Sequence, residues 1–417
     1  MAKSRKDPKG RVLRKGESYQ KSQQRYIYAF TDPFGKRKYI YAKDLMVLRE
    51  REEKLLKDQL DGLDVYLMGK ADLNFCFDRY MSTKVELRES TKYNYQYTYK
   101  TYVKEEIGKK LIADFKYSDI IYFYLHLMEK RGLEIATVEN VHTILRPTFN
   151  LAFKDEIIRK NPTDGALAEI KRKLKGSAGI RHALTVEQEK AFIDYLESRP
   201  ELVHWRNLFV VLLGTGCRIG EVVGLRWDDI DLEKRIVHIN HSVSYYPREK
   251  SSYRCEYAVS PPKTEKGIRD IPMFHSVFNA FMSEKKLQKE TGICCLTEIE
   301  GMTNFIFFNR YNEIHNPAGV NRAIKRFSED YNCNEEINAK KQKREAVMLP
   351  HFSCHHLRHT FCTRLCENET NVKLIQEIMG HSDIRTTLDI YAEIQELKKK
   401  EEFSNLADKM DLFKDIL

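Results

Sequence analysis

The periodicity of apolar residues changes along the chain, and these changes constrain the fold more than any other feature. Arg25–Phe30 and Lys36–Ala42 are tyrosine-rich runs joined by the turn sequence of residues 31–35. Such runs predict two strands of a hairpin. Asp44 then predicts the N-cap of a helix. We therefore expect residues 1–65 to form a small α+β domain.

Residues 66–172 have a different pattern, with apolar residues spaced three and four apart. This spacing predicts a helical domain of about four helices, the last ending at Asn161-Pro162. The stretch Lys171–Ala183 has no periodicity and is rich in Lys, Arg and Gly. We interpret it as a linker to the next domain.

Residues 173–396 are expected to form a third domain that is mixed but mainly helical. Thr185 and Gln188 have the spacing of a capping box at the start of its first helix. Short strands are predicted within Arg235–Val243 and Asn304–Asn309, where β-branched and aromatic residues are frequent. The predicted fold class is therefore multidomain α+β.

The positive charge is concentrated at one end of the chain. The net charge of the 417 residues is +10, and residues 1–44 contain 13 Lys and Arg against 4 Asp and Glu. A solvated tail and a phosphate-binding surface are both compatible with this excess. The longest apolar run, Leu208–Leu213, is too short to span a bilayer. Because the chain also lacks an apolar leader, we expect a cytoplasmic location.

Familiar cofactor and metal motifs are missing from the sequence. It contains no P-loop, no HExxH and no GxSxG. His355, His359, Cys362 and Cys366 share one helical face, but the first and last lie roughly 16 Å apart along a helix axis. Four such ligands cannot converge on one tetrahedral ion. We therefore expect no metal site and no cofactor.

Four short motifs follow one another between residues 215 and 394. They are TGCRIGEVVGLRW, PPKTEKGIRDIP, HHLRHTF and MGHSDIRTTLDIYAEI. Each alone is weak, because an isolated Arg or Tyr is usually structural. Together, in this order, they resemble the catalytic domain of the tyrosine recombinases, the phage-type integrases, from about residue 180 to residue 395.

This resemblance implies a complete active site. The expected catalytic residues are Arg218, Lys263, His355, Arg358, His381 and the nucleophile Tyr391, with Glu221 as a supporting carboxylate. Tyr391 follows His381 by ten residues, a spacing familiar in the family. His356 and His359 lie outside the matching positions and are interpreted as structural.

The chemistry of phosphodiester cleavage agrees with these residue types. Without a metal, other cations must neutralise the charge on the non-bridging oxygens, and guanidinium groups such as Arg218 and Arg358 do so bidentately. The phenol of Tyr391 needs a proton acceptor, for which His355 is the candidate. Lys263 is the candidate donor of a proton to the leaving 5′ oxygen. A covalent 3′-phosphotyrosine would conserve the bond energy.

The segment of residues 9–45 resembles the arm-binding domain of integrases from conjugative transposons. The resemblance implies a three-stranded sheet plus a helix, with one sheet face entering the major groove of DNA. The candidate DNA contacts are Arg25, Tyr26, Tyr28, Lys36, Arg37 and Lys38. The alternative for the aromatic residues is that their face packs on the helix. The helical middle domain would then be the one that clamps the crossover site.

Two further segments keep alternative interpretations. The hairpin region of residues 244–261 either presses on DNA near the cleavage site or is a surface elaboration. The tail, residues 397–417, either docks on a neighbouring subunit, as is common in the family, or folds back on its own domain.

The function implied is that of a site-specific recombinase that integrates and excises a mobile element, through a phosphotyrosine intermediate and a Holliday junction. The expected partners are double-stranded DNA and three further copies of the chain in a tetramer. An excisionase-like factor and a host DNA-bending protein are implied by resemblance alone. A type IB topoisomerase-like enzyme and a non-enzymatic DNA-binding regulator are the alternatives.

Overall fold

The structure, a computed structural model, describes residues 5–31, 37–60, 70–174, 183–248, 254–262 and 265–410. The chain divides into two compact units, residues 1–177 and residues 178–417. Within the described ranges, no helix is both long enough and apolar enough to cross a membrane.

The first unit begins with a three-stranded antiparallel sheet and a helix. These elements are β1 (Glu17–Gln20), β2 (Arg25–Thr31), β3 (Arg37–Ala42) and α1 (Leu45–Leu60). The strands pair in the order β1-β2-β3. Asp44 caps α1 as predicted, because its Oδ1 accepts a hydrogen bond of 2.7 Å from the Met46 amide. The expected combination of sheet and helix is thus confirmed, although residues 32–36 of the predicted turn lie outside the described residues.

One face of this sheet is covered by α1. Tyr26 lies opposite Ala42 and Tyr28 lies opposite Ile40 in the β2–β3 register. These four side chains point to the same side because alternate residues of a strand share a face. They pack with Leu45 and Leu48 of α1 to form the core of the domain.

A helical bundle follows in the same unit. Its helices are α2 (Leu73–Ser82), α3 (Glu89–Tyr102), α4 (Tyr117–Glu129), α5 (Ile135–Lys154) and α6 (Ala166–Leu174). Aromatic packing organises its core, with Phe77 stacked on Tyr99 at a centroid separation of 3.7 Å. The predicted helical character is therefore confirmed, with five helices in the described residues where about four were expected.

Two boundaries of this bundle differ from the sequence prediction. The helix α5 ends at Lys154 rather than near Asn161-Pro162. The reason is that Glu156 adopts a left-handed backbone conformation, with φ of 57°, which a helix cannot continue through. The helix α6 extends to Leu174, so the first residues of the predicted linker are helical.

The second unit is mainly helical and contains short strands. Its helices are α7 (Val186–Glu197), α8 (Val203–Thr215), α9 (Ile219–Gly224), α10 (His275–Thr291), α11 (Pro317–Gln342), α12 (Cys354–Asn368), α13 (Val372–Met379) and α14 (Arg385–Met410). Its strands are β4 (Ile230–Asp231), β5 (Ile236–Ile239), β6 (Ser242–Pro247), β7 (Cys255–Ser260) and β8 (Arg269–Pro272). The predicted capping box is present, since Thr185 and Gln188 exchange side-chain to backbone hydrogen bonds of 3.0 and 3.2 Å.

The strand predictions in this unit were only partly right. The stretch Arg235–Val243 is divided between β5 and β6, because His241 turns inward and its Nε2 bonds to the Gly224 carbonyl at 2.7 Å. Asn304–Asn309 is not a regular strand but makes isolated bridges. Phe305, Ile306 and Phe307 are all buried, so this segment runs through the core without the alternation that a half-buried strand requires.

The predicted hairpin region forms β6 and β7, which pair from Ser242 opposite Ser260 to Pro247 opposite Cys255. Residues 249–253 lie outside the described residues. The Tyr257 hydroxyl donates a hydrogen bond of 3.0 Å to the Ile314 carbonyl. This contact attaches the hairpin to the body of the second unit.

Candidate active site

Arg218 stands at the start of α9, where the chain has just left α8. Gly216 ends α8 in a left-handed conformation, with φ of 60°. Glu221 then accepts two hydrogen bonds of 2.9 Å from Arg218, one from its amide and one from Nη1. The Glu221 side chain is 3% exposed while that of Arg218 is 43% exposed. The buried carboxylate therefore orients a guanidinium that stays accessible.

The same carboxylate has a second cationic partner, Arg269, which was not among the predicted site residues. Arg269 Nη2 donates to Glu221 Oε2 at 2.9 Å. Its Nε donates to the Ile378 carbonyl at 2.8 Å, and its Nη1 donates to the Gly267 carbonyl at 3.1 Å. The signal was an arginine inside the otherwise strand-like GIRDIP stretch, since a buried charge in a strand needs a partner.

The charges around Glu221 decide its protonation state. Burial by itself would raise the pKa of this carboxyl, but Arg269 and Arg218 outweigh that effect and hold the pKa below its ordinary value. Glu221 is therefore an anion at neutral pH. A buried anion bound to two cations is a rigid support for the arginine at the surface of the site.

The helix α12 contributes His355 and Arg358, one turn apart on one face. Arg358 is buried, and its Nη1 and Nη2 donate hydrogen bonds of 2.6 Å to the carbonyls of Gly216 and Met379. Burial and the neighbouring Arg218 lower the pKa of Arg358 to about 10, so it remains a cation at neutral pH. His355 is exposed.

The two histidines outside the matching positions have different surroundings. His356 Nδ1 accepts a hydrogen bond of 3.2 Å from the Ser353 amide, so it belongs to the capping of α12. His359 also contacts its own helix, with Thr363 Oγ1 3.4 Å from Nδ1. However, His359 lines the same cavity as His355.

His381 follows α13 on a tight turn. Gly380 has φ of 63° and lies against Arg269, whose Nη1 would be 3.0 Å from an added Cβ. His381 Nδ1 is 2.9 Å from Thr387 Oγ1 at the start of α14. Burial, together with Arg358, Arg218 and Arg269, lowers the pKa of His381 to about 4. This histidine is therefore neutral at neutral pH.

Four of the predicted residues line one cavity of about 290 Å³. Its walls are formed by Arg218, His355, Arg358, His359, Cys362, Met379, His381, Ser382, Thr386 and Ile390. Two arginine cations and three histidines, among them the predicted His355 and His381, thus line one cavity. Such a site can bind an anion and stabilise the charge of a phosphoryl-transfer transition state.

The two remaining predicted residues are Lys263 and Tyr391. Lys263 lies outside the described residues. Tyr391 lies on α14, next to the cavity-lining Ile390, and packs against the apolar cluster that includes Phe361 and Ile394. Within the described part of the chain, Tyr391 does not itself line the cavity.

The described residues contain no group of three or more His, Cys, Asp or Glu side chains arranged to hold a metal ion. This also holds for the face of α12 that carries His355, His359, Cys362 and Cys366.

The predicted DNA contacts of the first domain lie on two different faces of its sheet. Tyr26 is 4% exposed, and its hydroxyl donates to Asp7 at 2.9 Å. Tyr28 packs against the same core. Both residues occupy the face covered by α1. They therefore pack on the helix, which was the alternative to a DNA contact. Lys38 lies opposite Phe30 in the β2–β3 pairing and so belongs to that face. Lys36 lies outside the described residues.

The opposite face of this sheet is open and combines aromatic rings with cations. The guanidinium of Arg25 lies 4.1 Å from the ring centroid of Tyr41, and that of Arg37 lies 5.9 Å from Tyr39. Both tyrosines are exposed. Arginines on exposed aromatic platforms are well suited to phosphate and base contacts. Tyr39 and Tyr41 were not among the predicted contacts, although strand alternation could have identified them.

The chain is similar to known proteins over most of its length. Residues 182–398 match the phage integrase family, and residues 1–59 match the DNA binding domain of Tn916 integrase. The transposase from transposon Tn916 of Enterococcus faecalis is 30% identical over 410 residues, which cover 94% of this chain and 94% of the relative.

Solved structures show the same similarity. The integrase of transposon Tn1549 in complex with transposon right-end DNA has 29% identity and a TM-score of 0.68, covering 81% of this chain and 100% of that chain. The lambda integrase tetramer bound to a Holliday junction has 16% identity and a TM-score of 0.50, covering 90% of this chain and 94% of that chain. The lambda similarity shows the fold alone.

The family match covers more than half of the chain and includes the cavity lined by Arg218, Arg358 and three histidines. The match at the other end covers the sheet with its open, arginine-bearing face. The chain therefore belongs to the phage integrase family, and it is a tyrosine-type site-specific DNA recombinase of the kind that integrates and excises conjugative transposons.

Proposed function

We propose that this recombinase cleaves DNA with Tyr391 and exchanges strands through a covalent 3′-phosphotyrosine, with Arg218, Lys263, His355, Arg358 and His381 as its catalytic residues. The observation that carries the proposal is the cavity that joins the predicted arginines and histidines, beside the helix that bears Tyr391. The names of the relatives support the substrate, since they include a transposase and an integrase in complex with transposon DNA.

The scissile phosphate would bind between the two guanidinium groups. Arg358 uses one hydrogen of each terminal nitrogen on the carbonyls of Gly216 and Met379. The second hydrogen of each nitrogen remains for phosphate oxygens, because each terminal guanidinium nitrogen carries two. Arg218 presents its exposed guanidinium from the other wall. Removal of one such donor typically costs about 100- to 1000-fold in rate.

Cleavage is a transesterification in which atoms and charges balance. The Tyr391 oxygen forms a bond to phosphorus while the bond from phosphorus to the 5′ oxygen breaks. The phenolic proton passes to His355, and Lys263 supplies a proton to the departing 5′ oxygen. The number of phosphoester bonds is unchanged, so a 5′ hydroxyl of a second strand can reverse the step and complete the exchange.

Tyr391 has to approach the phosphate for this reaction. Its neighbour Ile390 lines the cavity, whereas Tyr391 packs against the cluster containing Phe361 and Ile394. We infer that DNA binding shifts the Tyr391 segment of α14 or rotates the tyrosine side chain. Until this happens, the nucleophile is withheld from the arginines.

The other parts of the chain would organise the DNA. The open face of the first sheet, with Arg25 and Arg37, would bind arm sites, and the helical bundle would clamp the crossover site. Recombination of two duplexes requires four active sites, so we propose a homotetramer on DNA in the bacterial cytoplasm. The lambda relative is a tetramer bound to a Holliday junction. An excisionase-like factor would help to set the direction of recombination, and a host DNA-bending protein would help to set the geometry of the DNA.

A nicked suicide substrate tests the chemical assignment. Tyr391→Phe should bind crossover-site DNA normally and form no covalent protein–DNA adduct. Tyr331→Phe, a half-buried tyrosine of the same unit, is the matched control and should form adduct at the wild-type rate. Adduct formation by Tyr391→Phe would refute the assignment. Strand exchange between two duplexes then separates a recombinase from a topoisomerase-like enzyme, which would only nick and reseal one.

A further inference from the structure

A buried contact joins His381, one of the histidines that line the cavity, to the helix that carries Tyr391. Thr387 Oγ1 lies 2.9 Å from His381 Nδ1. Thr387 is completely buried and His381 is 9% exposed. The Gln376 side chain donates a hydrogen bond of 3.0 Å to the His381 carbonyl, which holds the backbone of this turn. The contact therefore has a defined geometry and is shielded from water.

The direction of this hydrogen bond follows from the place of Thr387 in its helix. Buried hydroxyls within helices of this chain donate to the carbonyl four residues earlier, as Thr148 does to Ile144 at 2.7 Å and Thr215 does to Val211 at 2.6 Å. The helix α14 begins at Arg385, so the residue four positions before Thr387 precedes the helix. Among the described residues, His381 Nδ1 is the hydrogen-bond partner of this hydroxyl.

A buried hydroxyl that donated to nothing would cost about 1–3 kcal/mol. The Thr387 hydrogen is therefore given to Nδ1, which acts as the acceptor. A neutral imidazole has one N–H and one acceptor nitrogen, so the proton of His381 is on Nε2. We propose that Thr387 is a positioning residue that fixes His381 in the Nε2–H tautomer, so that His381 presents a hydrogen-bond donor to the cavity.

The consequence for catalysis rests on the proposed function. His381 lines the cavity beside Arg218 and Arg358, and with Nδ1 occupied by Thr387 the nitrogen left for a ligand is Nε2. An Nε2–H would donate to a non-bridging oxygen of the scissile phosphate. The other tautomer would direct a lone pair at the phosphate anion, which is repulsive. Thr387 thus selects the form of a neutral histidine that can stabilise negative charge.

Three variants of the full chain test this role on a nicked suicide substrate under single-turnover conditions. Thr387→Val removes the hydroxyl and keeps the shape, and it should slow adduct formation by about tenfold or more, up to the 100- to 1000-fold that loss of a whole donor produces. Thr387→Ser keeps the hydroxyl and should restore most of the rate. Thr148→Val, which removes an equally buried hydroxyl in the other unit, is the control and should react at the wild-type rate.

A spectroscopic measurement reports the tautomer directly. In ¹⁵N-histidine-labelled protein, long-range proton–nitrogen correlations distinguish a protonated from an unprotonated ring nitrogen, and the signals lost in His381→Gln identify His381. Wild type should show a protonated Nε2, and Thr387→Val should show a mixture of tautomers. A protonated Nδ1 in wild type, or an unchanged tautomer in Thr387→Val, would overturn the inference.

The kinetic comparison with His381→Gln separates this inference from the proposed function. If Thr387 acts through His381, Thr387→Val should add no further loss to His381→Gln. If His381→Gln cleaves slowly but Thr387→Val cleaves like wild type, the role of Thr387 is refuted and the active site stands. If His381→Gln itself cleaves at the wild-type rate, the assignment of His381 to the reaction is refuted instead.

Discussion

The buried guanidinium of Arg269 donates a hydrogen bond of 2.9 Å to the Glu221 carboxylate, which in turn orients Arg218. The side chains of Arg269 and Glu221 are 5% and 3% exposed. Arg269 also binds the carbonyls of Gly267 and Ile378. One residue therefore connects the short turn that ends at Gly267, the start of α9 and the end of α13.

Loss of this residue should destabilise the second unit. Arg269→Ala leaves Glu221 with one of its two cationic partners, and breaking a buried pair in this way typically costs about 3–5 kcal/mol in the free energy of unfolding. The chain has two tryptophans, Trp205 and Trp227, both in the second unit. Urea unfolding followed by tryptophan fluorescence therefore reports on this unit.

Lys325→Ala is the control for that measurement, because Lys325 and Glu329 form an ion pair in which both side chains are more than half exposed. Exposed pairs contribute about 0–1 kcal/mol. If both variants shifted the unfolding curve equally, the importance assigned to Arg269 would be wrong.

Lys263, rather than Lys266, should act as the general acid. Lys263→Ala should slow cleavage of ordinary DNA strongly, because the leaving 5′ oxygen then lacks a proton donor. A substrate with a 5′-thiolate leaving group needs no proton and should restore the rate. Lys266, in the short turn Glu265–Gly267, provides the control, and rescue of Lys266→Ala alone would reverse the choice.

Arg25 and Arg37 should bind DNA through phosphate contacts. The double variant Arg25→Ala/Arg37→Ala should lose affinity for arm-site DNA, and the slope of log affinity against log salt should decrease by about 0.9 for each phosphate contact removed. Lys54→Ala removes an exposed charge from α1 and serves as the control. Titrations at several salt concentrations decide the matter, and equal slopes for all three proteins would count against the open face.

The first domain should be more stable at acidic than at neutral pH through Glu52. Glu52 is buried, and its Oε2 has no hydrogen-bond partner in the described residues. Burial and the nearby Glu17 raise the pKa of this carboxyl. A raised folded-state pKa contributes stability that is present below the unfolded pKa and is lost as pH rises through the folded value.

Glu52→Gln should therefore stabilise the domain at about pH 7.5 and have less effect at about pH 4.5. Hydrogen–deuterium exchange of peptides from β2, compared between wild type and variant at each pH, measures this without interference from the other unit. Glu53→Gln, an exposed neighbour, should change exchange at neither pH. Equal protection of wild type and Glu52→Gln at both pH values would contradict the prediction.

The tail after Tyr391 should dock on a neighbouring subunit. The helix α14 continues to Met410, and Phe403 on it is 70% exposed. Truncation after Lys400 should weaken tetramer formation on crossover-site DNA, because the exposed Phe403 would no longer be available for burial between subunits.

Phe403→Ala is the point variant for the same test, since an exposed side chain contributes little to the stability of the monomer. Sedimentation of the protein–DNA complexes measures the assembly. A full tetramer with normal strand exchange after truncation would show that the tail folds back on its own domain or has no role in assembly.

Local sequence determined the elements and the kinds of residue in the site. The hairpin of the first domain, the cap at Asp44 and the capping box of Thr185 and Gln188 were predictable because they depend on hydrogen bonds and periodicity within a few residues. The same is true of the spacing of His355 and Arg358, which a helix places on one face. The order of the four motifs was sufficient to identify the family.

Tertiary structure alone decided which of these groups meet and which are buried. Arg269 reaches Glu221 across 48 positions and Ile378 across 109 positions, and no local pattern encodes such pairs. The side of the sheet that α1 covers placed Tyr26 in the core and left Tyr39 and Tyr41 exposed. The burial of Phe305 and its neighbours on all sides removed a predicted strand. Periodicity reports on neighbours in the chain, whereas desolvation and charge pairing depend on whatever segment packs alongside.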